Sequence, residues 1–143
     1  MTQKVTRTGD FGMDNRVIFD YDRSAKILFV EDQWNIATAQ DVDAFFAEYA
    51  HFITTIGEKF WMVAHIDRLV IHADVAEYYG EVAREATSER LLGLARWGKD
   101  SIARMTLRTT AMKAKMPYNI YSSREEAVRA IEKMKAERSG SKA

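Results

Sequence analysis

The sequence predicts an α/β fold, in which a mixed β-sheet starts with an antiparallel hairpin and continues as alternating helices and strands. Three observations indicate this class. Residues 60–67 form an almost unbroken apolar run without alternation, which is typical of a central strand covered on both faces. Apolar residues recur at helical spacing on both sides of that run. Gly57 and Pro117 stand where the first and third helices should end. The expected order is β-β-α-β-α-β-α-β-α.

We expect one domain over residues 15–138. Residues 1–14 are interpreted as a flexible lead-in, because Gly9 and Gly12 would interrupt a regular element. Residues 139–143 are interpreted as a disordered tail, since chain ends fray when nothing ties them down.

The first predicted elements are a hairpin and a helix. Residues 16–21 and 26–31 form two strands, and the turn residues Asp22-Arg23-Ser24 separate them. Thr38 then caps the first helix, with Asp41 placed to complete a capping box. The apolar stripe expected to face the sheet consists of Val42, Phe45, Phe46, Tyr49, Ile53 and Ile56.

The second half of the chain continues the alternation. A capping box from Asp74 to Glu77 predicts a second helix, residues 91–97 predict the next strand, and Asp100 or Ser101 caps a third helix. The inward side of that third helix is expected to consist of Ile102, Met105, Thr109, Met112 and Met116. Residues 118–121 predict a last short strand, and a final helix follows the Ser123 cap.

Composition excludes several classes of protein. The 143 residues include no cysteine, so disulfides, thiolate catalysis and cysteine zinc sites are excluded. The 21 basic and 21 acidic side chains cancel, which gives no general attraction for nucleic acid. No apolar run approaches the ~18 residues that a membrane span requires. With no signal-peptide core at the N-terminus, a cytoplasmic protein is expected.

Charge is nevertheless distributed unevenly along the chain. Residues 31–50 contain five acids and no Lys or Arg, whereas residues 90–116 contain seven bases and only Asp100 as an acid. Such runs are usually solvated surfaces of opposite sign.

Three stretches resemble the STAS domain family, and more closely its SpoIIAA-like branch of small bacterial proteins. They are the strand 60–67 that ends in Asp67, the strand 91–97, and the strand, cap and helix of residues 120–131. The resemblance covers roughly residues 15–137 and implies a non-catalytic regulatory or protein-interaction domain, with a protein partner or a homodimer. The same branch is similar to lipid-binding domains of the Sec14 type, which implies a hydrophobic ligand as an alternative.

The family's regulatory motif, Asp-Ser-Ser-Gly, is not preserved in this sequence. The corresponding stretch is Asp74-Val75-Ala76-Glu77, in which only the aspartate matches. Without a hydroxyl group there is no phosphate acceptor, so the serine switch cannot be transferred to this chain.

The carboxyl ends of the third and fourth predicted strands hold candidate ligand-binding residues, since open α/β sheets bind ligands at that edge. These candidates are Asp67, Arg68, His72, Arg96, Trp97 and Lys99. The alternative interpretation is that Trp97 closes the core and the arginines pair with nearby carboxylates. A third possibility is a metal or acid-base site formed by His65, Asp67 and His72.

Aromatic residues on the first two helices predict an apolar pocket as the second hypothesis for function. Its candidate residues are Phe45, Phe46, Tyr49, Tyr78 and Tyr79. No phosphate-binding loop, dinucleotide fingerprint, nucleophile elbow or zinc-protease motif occurs, so we expect no enzymatic activity and no cofactor. The sequence thus leaves an interaction domain and a hydrophobic-ligand binder as the two leading hypotheses.

Overall fold

The computed structural model describes residues 2–8, 15–87 and 89–140, which form an α/β fold with one mixed six-stranded sheet. The strands are β1 (Thr2–Thr8), β2 (Arg16–Asp22), β3 (Ile27–Ile36), β4 (Phe60–Ile71), β5 (Leu91–Trp97) and β6 (Ile120–Tyr121). The helices are α1 (Ala39–Ile56), α2 (Ala76–Thr87), α3 (Ser101–Ala114) and α4 (Arg124–Gly140).

The strands lie in the sheet in the same order as in the chain. The strands β1, β2 and β3 are antiparallel neighbours, and β3 to β6 are parallel. Because each right-handed crossover advances by one strand in the same direction, α1, α2 and α3 lie side by side on one face. Helix α4 packs on β4 and β5 from the opposite face. The large core, and the candidate site described below, lie under α1, α2 and α3.

The N-terminal prediction needs correction. Thr2–Thr8 is not a flexible lead-in but an edge strand paired with β2, whereas residues 9–14 lie outside the described part of the chain. Its short polar sequence carries no local signal, because the strand depends on a partner that comes later in the chain. At the other end, α4 continues through Ser139 and Gly140, and residues 141–143 of the predicted tail lie outside the description.

Helix α1 has the predicted cap, stripe and stop. Thr38 and Asp41 form a reciprocal capping box, and Gly57 ends the helix in the left-handed region with φ of 74°. The buried side is Val42, Phe45, Phe46, Tyr49, Phe52, Ile53 and Ile56. Strand β4, by contrast, runs to Ile71, four residues past the predicted end, because β3 also continues and pairs with it as far as Ile36.

Helix α2 begins differently from the prediction. A 3-10 turn over Ala73–Val75 follows β4, and the α-helix starts only at Ala76. Asp74 lies inside this turn, two residues before the α-helix begins, so it does not stand at the predicted capping position.

Helix α3 packs on the sheet with the opposite side from the one predicted. Asp100 caps it by accepting a hydrogen bond from the Ala103 amide, but Ile102, Met105 and Met112 are 59%, 60% and 75% exposed. Thr109 and Met116 are half-buried. The buried residues are instead Ala103, Leu107, Thr110, Ala111 and Ala114.

Close packing between α2 and α3 explains why α3 buries its alanine side and not the predicted one. A Cβ atom built on Gly80 of α2 would lie 2.2 Å from the Cβ atom of Ala114, so the two helices approach each other as closely as small residues allow. A prediction from hydrophobicity alone places the larger Ile and Met side chains of α3 in the core. The narrow gap between α2 and α3 instead requires the smaller side chain of Ala.

Strand β5 has the predicted bounds but is only half-buried. Strand β6 is limited to Ile120–Tyr121, shorter than predicted, and pairs only with Arg96 and Trp97. The earlier part of β5 therefore has no strand on that side within the described chain, and the Asn119 side chain donates a hydrogen bond to the Leu94 carbonyl instead.

Candidate functional site

A cavity of about 370 Å³ lies under α1 and α2, over β4 and β5. Its wall is aromatic and comes from Phe45, Phe46 and Tyr49 of α1 and Tyr79 of α2. Its floor comes from Met62 and Ala64 of β4 with Leu91 and Leu94 of β5, and its outer rim from Met116, Pro117, Asn119 and Met134. The cavity is thus mainly apolar and reaches the open edge of the sheet at β5.

Ring contacts between α1 and α2 hold the aromatic wall in place. The Phe46 and Tyr79 ring centroids are 5.0 Å apart, and those of Phe45 and Tyr49 are 5.2 Å apart. Phe45 also meets Phe46 edge to face, at 5.0 Å and 84°. Because the rings support one another across two helices, the wall is formed before any ligand arrives.

Strand geometry places the floor. Alternate residues of a strand face the same side, so Met62 and Ala64 both point towards α1 and α2. Ala64 pairs with Val30 on one side and with Arg96 on the other. The single methyl group of Ala64 leaves free space between β3 and β5 that a larger side chain would fill.

A buried carboxyl group stands at the β3 side of this space. Asp32 is 4% exposed and accepts a hydrogen bond from the Tyr49 hydroxyl. Burial raises the pKa of Asp32 to about 7, although the Tyr49 hydrogen bond and the nearby Arg96 charge lower it. Burial and the Asp32 charge likewise raise the pKa values of Tyr49 and Tyr79, so both phenols are neutral at physiological pH.

A guanidinium group stands at the β5 side. Arg96 is half-buried and lines the cavity, yet its side chain makes no hydrogen bond or ion pair with any other residue that the structure describes. The second arginine of the lining, Arg84, differs because its Nη1 donates to the Ala114 carbonyl at 2.9 Å. The cavity therefore combines an apolar volume with one acid and one cation whose side chain makes no hydrogen bond or ion pair within the described part of the chain.

Of the predicted aromatic residues, Phe45, Phe46, Tyr49 and Tyr79 line the cavity, but Tyr78 does not. Successive helical residues point about 100° apart, so Tyr78 faces outward, where its hydroxyl donates to Asp43 at 2.6 Å. The sequence did not identify Asp32, although the buried alternation Leu28, Val30 and Asp32 would have placed it inward in a longer strand.

The six residues predicted at the carboxyl edge do not form one site. Only Arg96 reaches the cavity; Trp97, its neighbour in β5, faces the opposite side of the sheet and stacks on His65 at 3.8 Å between ring centroids. Arg68 donates to Gln33 at 3.3 Å, and the exposed His72 hydrogen-bonds Asn35 at 2.8 Å. Strand alternation and separate local partners therefore divide the predicted cluster.

Asp67 has a structural role that occupies its carboxylate. Its Oδ1 accepts hydrogen bonds from the backbone amides of Lys99 at 2.6 Å and Asp100 at 2.9 Å, and its Oδ2 lies 3.0 Å from His65 Nε2. Burial would raise the pKa of Asp67, but these hydrogen bonds keep it below its usual value. The side chain thus connects β4 to the two residues that immediately precede α3.

The predicted metal site is not assembled. His65 lies between Asp67 and Glu31, with Nδ1 at 3.8 Å from Glu31 Oε1, whereas His72 is bound to Asn35 farther along the chain. Across residues 15–87 and 89–140, no three His, Asp or Glu side chains are placed to share a metal ion. None of the described helices is long and apolar enough to cross a bilayer.

A scan of protein-family models and a search of curated proteins find no match to this chain. The geometry of the cavity is consequently the main basis for a functional argument.

Proposed function

We propose that this protein is a small binding protein for an amphipathic ligand, which inserts its apolar part between α1 and α2. One observation carries the proposal: an aromatic-walled apolar cavity of about 370 Å³ with an ionisable group, Asp32 or Arg96, at each side of its floor. Ligand sites are usually concave, mainly apolar and equipped with a few polar groups that orient the ligand. The cavity has each of these properties.

An estimate of the binding free energy favours a ligand that has a polar end. Burying roughly 200 Å² of apolar ligand surface contributes about 5 kcal/mol at ~25 cal/mol per Å². Part of that free energy is offset by the lost translational and rotational freedom of the ligand. Affinity in the micromolar range, about −8 kcal/mol, therefore requires polar contacts in addition to the apolar ones.

Filling the cavity tests the proposal. Ala83 lines the cavity from α2, whereas Ala47 is exposed on α1, so Ala83→Leu and Ala47→Leu add the same atoms to a helix at two different places. We expect binding of Nile red or decanol, measured by fluorescence titration and competition, to fall at least about tenfold in Ala83→Leu. Binding should be unchanged in Ala47→Leu.

The result that would overturn the proposal is equally specific. If neither probe binds the wild-type protein, or if the two leucine variants weaken binding equally, the cavity is not a ligand site. Circular dichroism of both variants separates this outcome from a loss of folding.

A second candidate function is a non-catalytic regulatory domain of the STAS type in the cytoplasm, with a second copy or another protein as its partner. The exposed side of α3 favours it, because Ile102, Met105 and Met112 form an apolar stripe at helical spacing. Arg108 and Lys113 flank this stripe, and both are exposed. Asp74 to Glu77 carry no hydroxyl, so any switch would work without serine phosphorylation.

Sedimentation velocity tests self-association through this stripe. We expect the wild-type protein to associate as its concentration rises, and Met105→Ser with Met112→Ser to remain monomeric. Tyr78→Ser, which changes an exposed aromatic residue elsewhere, is the control. A wild-type chain that stays monomeric at its highest soluble concentration would contradict the homodimer.

A further inference from the structure

We propose that the ligand is a monocarboxylate amphiphile whose head group lies over Ala64, paired with the Arg96 guanidinium and hydrogen-bonded to a protonated Asp32. This inference rests on the proposed function and adds the chemical class of the ligand and a proton that is taken up on binding.

The register of the sheet provides the space for such a head group. Val30, Ala64 and Arg96 are neighbours across β3, β4 and β5, and adjacent strands lie about 4.8 Å apart. Asp32 follows Val30 by two residues and so faces the same side of β3. The acid and the cation therefore lie on opposite sides of β4 and are offset by about two residues along the strands, with the small Ala64 directly beside Arg96, and both line the cavity.

The cation at this position, Arg96, has no ion-pair partner among the described residues. A half-buried guanidinium group is normally paired, because taking a charge out of water is costly. Arg96 lacks such a pair among the described residues and is not within 4.0 Å of the Asp32 carboxylate in an ion pair. A carboxylate is the planar group that the guanidinium fork binds most effectively, through two parallel hydrogen bonds.

The carboxyl group of Asp32 is hydrogen-bonded at one of its two oxygens. Tyr49 donates its hydroxyl hydrogen to Oδ1 of Asp32, and this is the one hydrogen bond that the Asp32 carboxyl group makes with the described residues. When protonated, Oδ2 can donate to a ligand carboxylate. The ligand, Arg96 and a neutral Asp32 then carry no net charge, whereas an ionised Asp32 would place two carboxylates side by side.

The titratable groups around Asp32 allow this protonation. Tyr49 of α1 and Tyr79 of α2 have raised pKa values and stay neutral, and β4 contributes only Met62 and Ala64. Glu31, next in β3, raises the pKa of Asp32, and Arg96 lowers it. Arg84 at the cavity wall is bound to a backbone carbonyl. An anion bound to Arg96 neutralises the positive charge of the guanidinium, which favours ionised Asp32 in the free protein.

The pH dependence follows from this balance. With the pKa of Asp32 near 7 in the free protein, the group is already protonated at pH 6, and no proton is needed for binding. Above that pKa each binding event takes up one proton from solution, so affinity falls by up to tenfold per pH unit.

Isothermal titration calorimetry with decanoate, decanol and decyl phosphate tests the inference. At pH 6 we expect decanoate to bind at least tenfold more tightly than decanol. Arg96→Gln should remove this preference, so that decanoate and decanol bind with similar affinity. Arg129→Gln, the same change of charge on the exposed side of α4, should have no effect.

Titrations at pH 8 in two buffers with different ionisation enthalpies measure proton uptake directly. We expect close to one proton per decanoate in the wild-type protein and close to none in Asp32→Asn. Asp74→Asn, an exposed residue outside the cavity, is the control.

The outcomes separate the inference from the proposed function. If decanoate and decanol bind equally and Ala83→Leu blocks both, the cavity is a ligand site but the carboxylate assignment is wrong. If decyl phosphate binds more tightly than decanoate, the assignment is also overturned, in favour of a phosphate monoester. If no probe binds, the proposed function itself fails.

Discussion

Asp32 and Asp67 stand on adjacent strands of one sheet and have opposite surroundings. Two backbone amides and His65 saturate the Asp67 carboxylate, and its pKa lies below the usual value. Asp32 has one hydrogen bond, from Tyr49, and burial raises its pKa to about 7. Asp67 thus stabilises the fold in its charged form, whereas the charged form of Asp32 opposes folding.

The difference separates a structural carboxylate from a candidate binding group. Native structures satisfy buried polar groups when stability is the only requirement. The half-buried Asp67 follows that rule, because its carboxylate accepts hydrogen bonds from Lys99 and Asp100, which immediately precede α3. Asp32 and Arg96 do not: both line a cavity, and neither is fully engaged by the described residues. A ligand that satisfies both groups would account for the departure.

The largest expected effect is at Asp67. Asp67→Ala leaves two amides at the start of α3 without their acceptor, so we expect a loss of about 2–4 kcal/mol in the free energy of unfolding. Urea denaturation measures this loss. Asp74→Ala, which removes an exposed carboxylate nearby in the chain, should change the free energy by less than about 0.5 kcal/mol. Equal effects of the two variants would contradict the structural role of Asp67.

A change of opposite sign is expected at Asp32. The folded-state pKa near 7 is above the unfolded value of about 4, so the folded state binds more protons between these values and wild-type stability falls as pH rises. Asp32→Asn removes this pH-dependent contribution to the stability. We expect its stability relative to wild type to increase by on the order of 2 kcal/mol from pH 5 to pH 8. Thermal unfolding across this range checks the slope.

If the stabilities of Asp32→Asn and of the wild type change with pH in parallel, the raised pKa of Asp32 is contradicted. Asp74→Asn serves as the reference, because its profile should follow the wild type throughout.

A smaller effect is expected at Tyr49. Tyr49→Phe removes the hydrogen bond that lowers the pKa of Asp32, so the pKa should rise and proton uptake with decanoate should begin at higher pH. Stability should fall by about 1 kcal/mol. Tyr78→Phe removes a hydroxyl of the same kind from an exposed hydrogen bond and should alter neither quantity. A pH midpoint of proton uptake that does not move would show that Tyr49 does not influence Asp32.

Local signals in the sequence account for the elements that were predicted well. The cap at Thr38, the stripe of α1 and the stop at Gly57 lie within one helix, and so do Phe45, Phe46 and Tyr49 of the cavity wall. Residue type and helical spacing are sufficient there, because the aromatic side is the one that faces a sheet.

Long-range contacts explain what could not be predicted. The edge strand at Thr2–Thr8 depends on its pairing with β2, and α3 turned its Ala side inward because Gly80 brings α2 close to Ala114. The strand β3 extends past residue 31 because both β2 and β4 pair with it there, and this extension brings Asp32 into the cavity. Arg96 was predicted to bind a ligand, but at the edge of the sheet and among residues that strand alternation separates from it.

Ligand binding in the cavity between α1, α2, β4 and β5 can be observed residue by residue. Methyl-labelled methionine spectra test it most directly, because Met62 and Met116 line the cavity while Met105 and Met112 are exposed on α3. We predict that titration with decanoate shifts the Met62 and Met116 signals and leaves those of Met105 and Met112 unchanged. Shifts confined to Met105 and Met112, or no shift at all, would contradict binding of decanoate in the cavity.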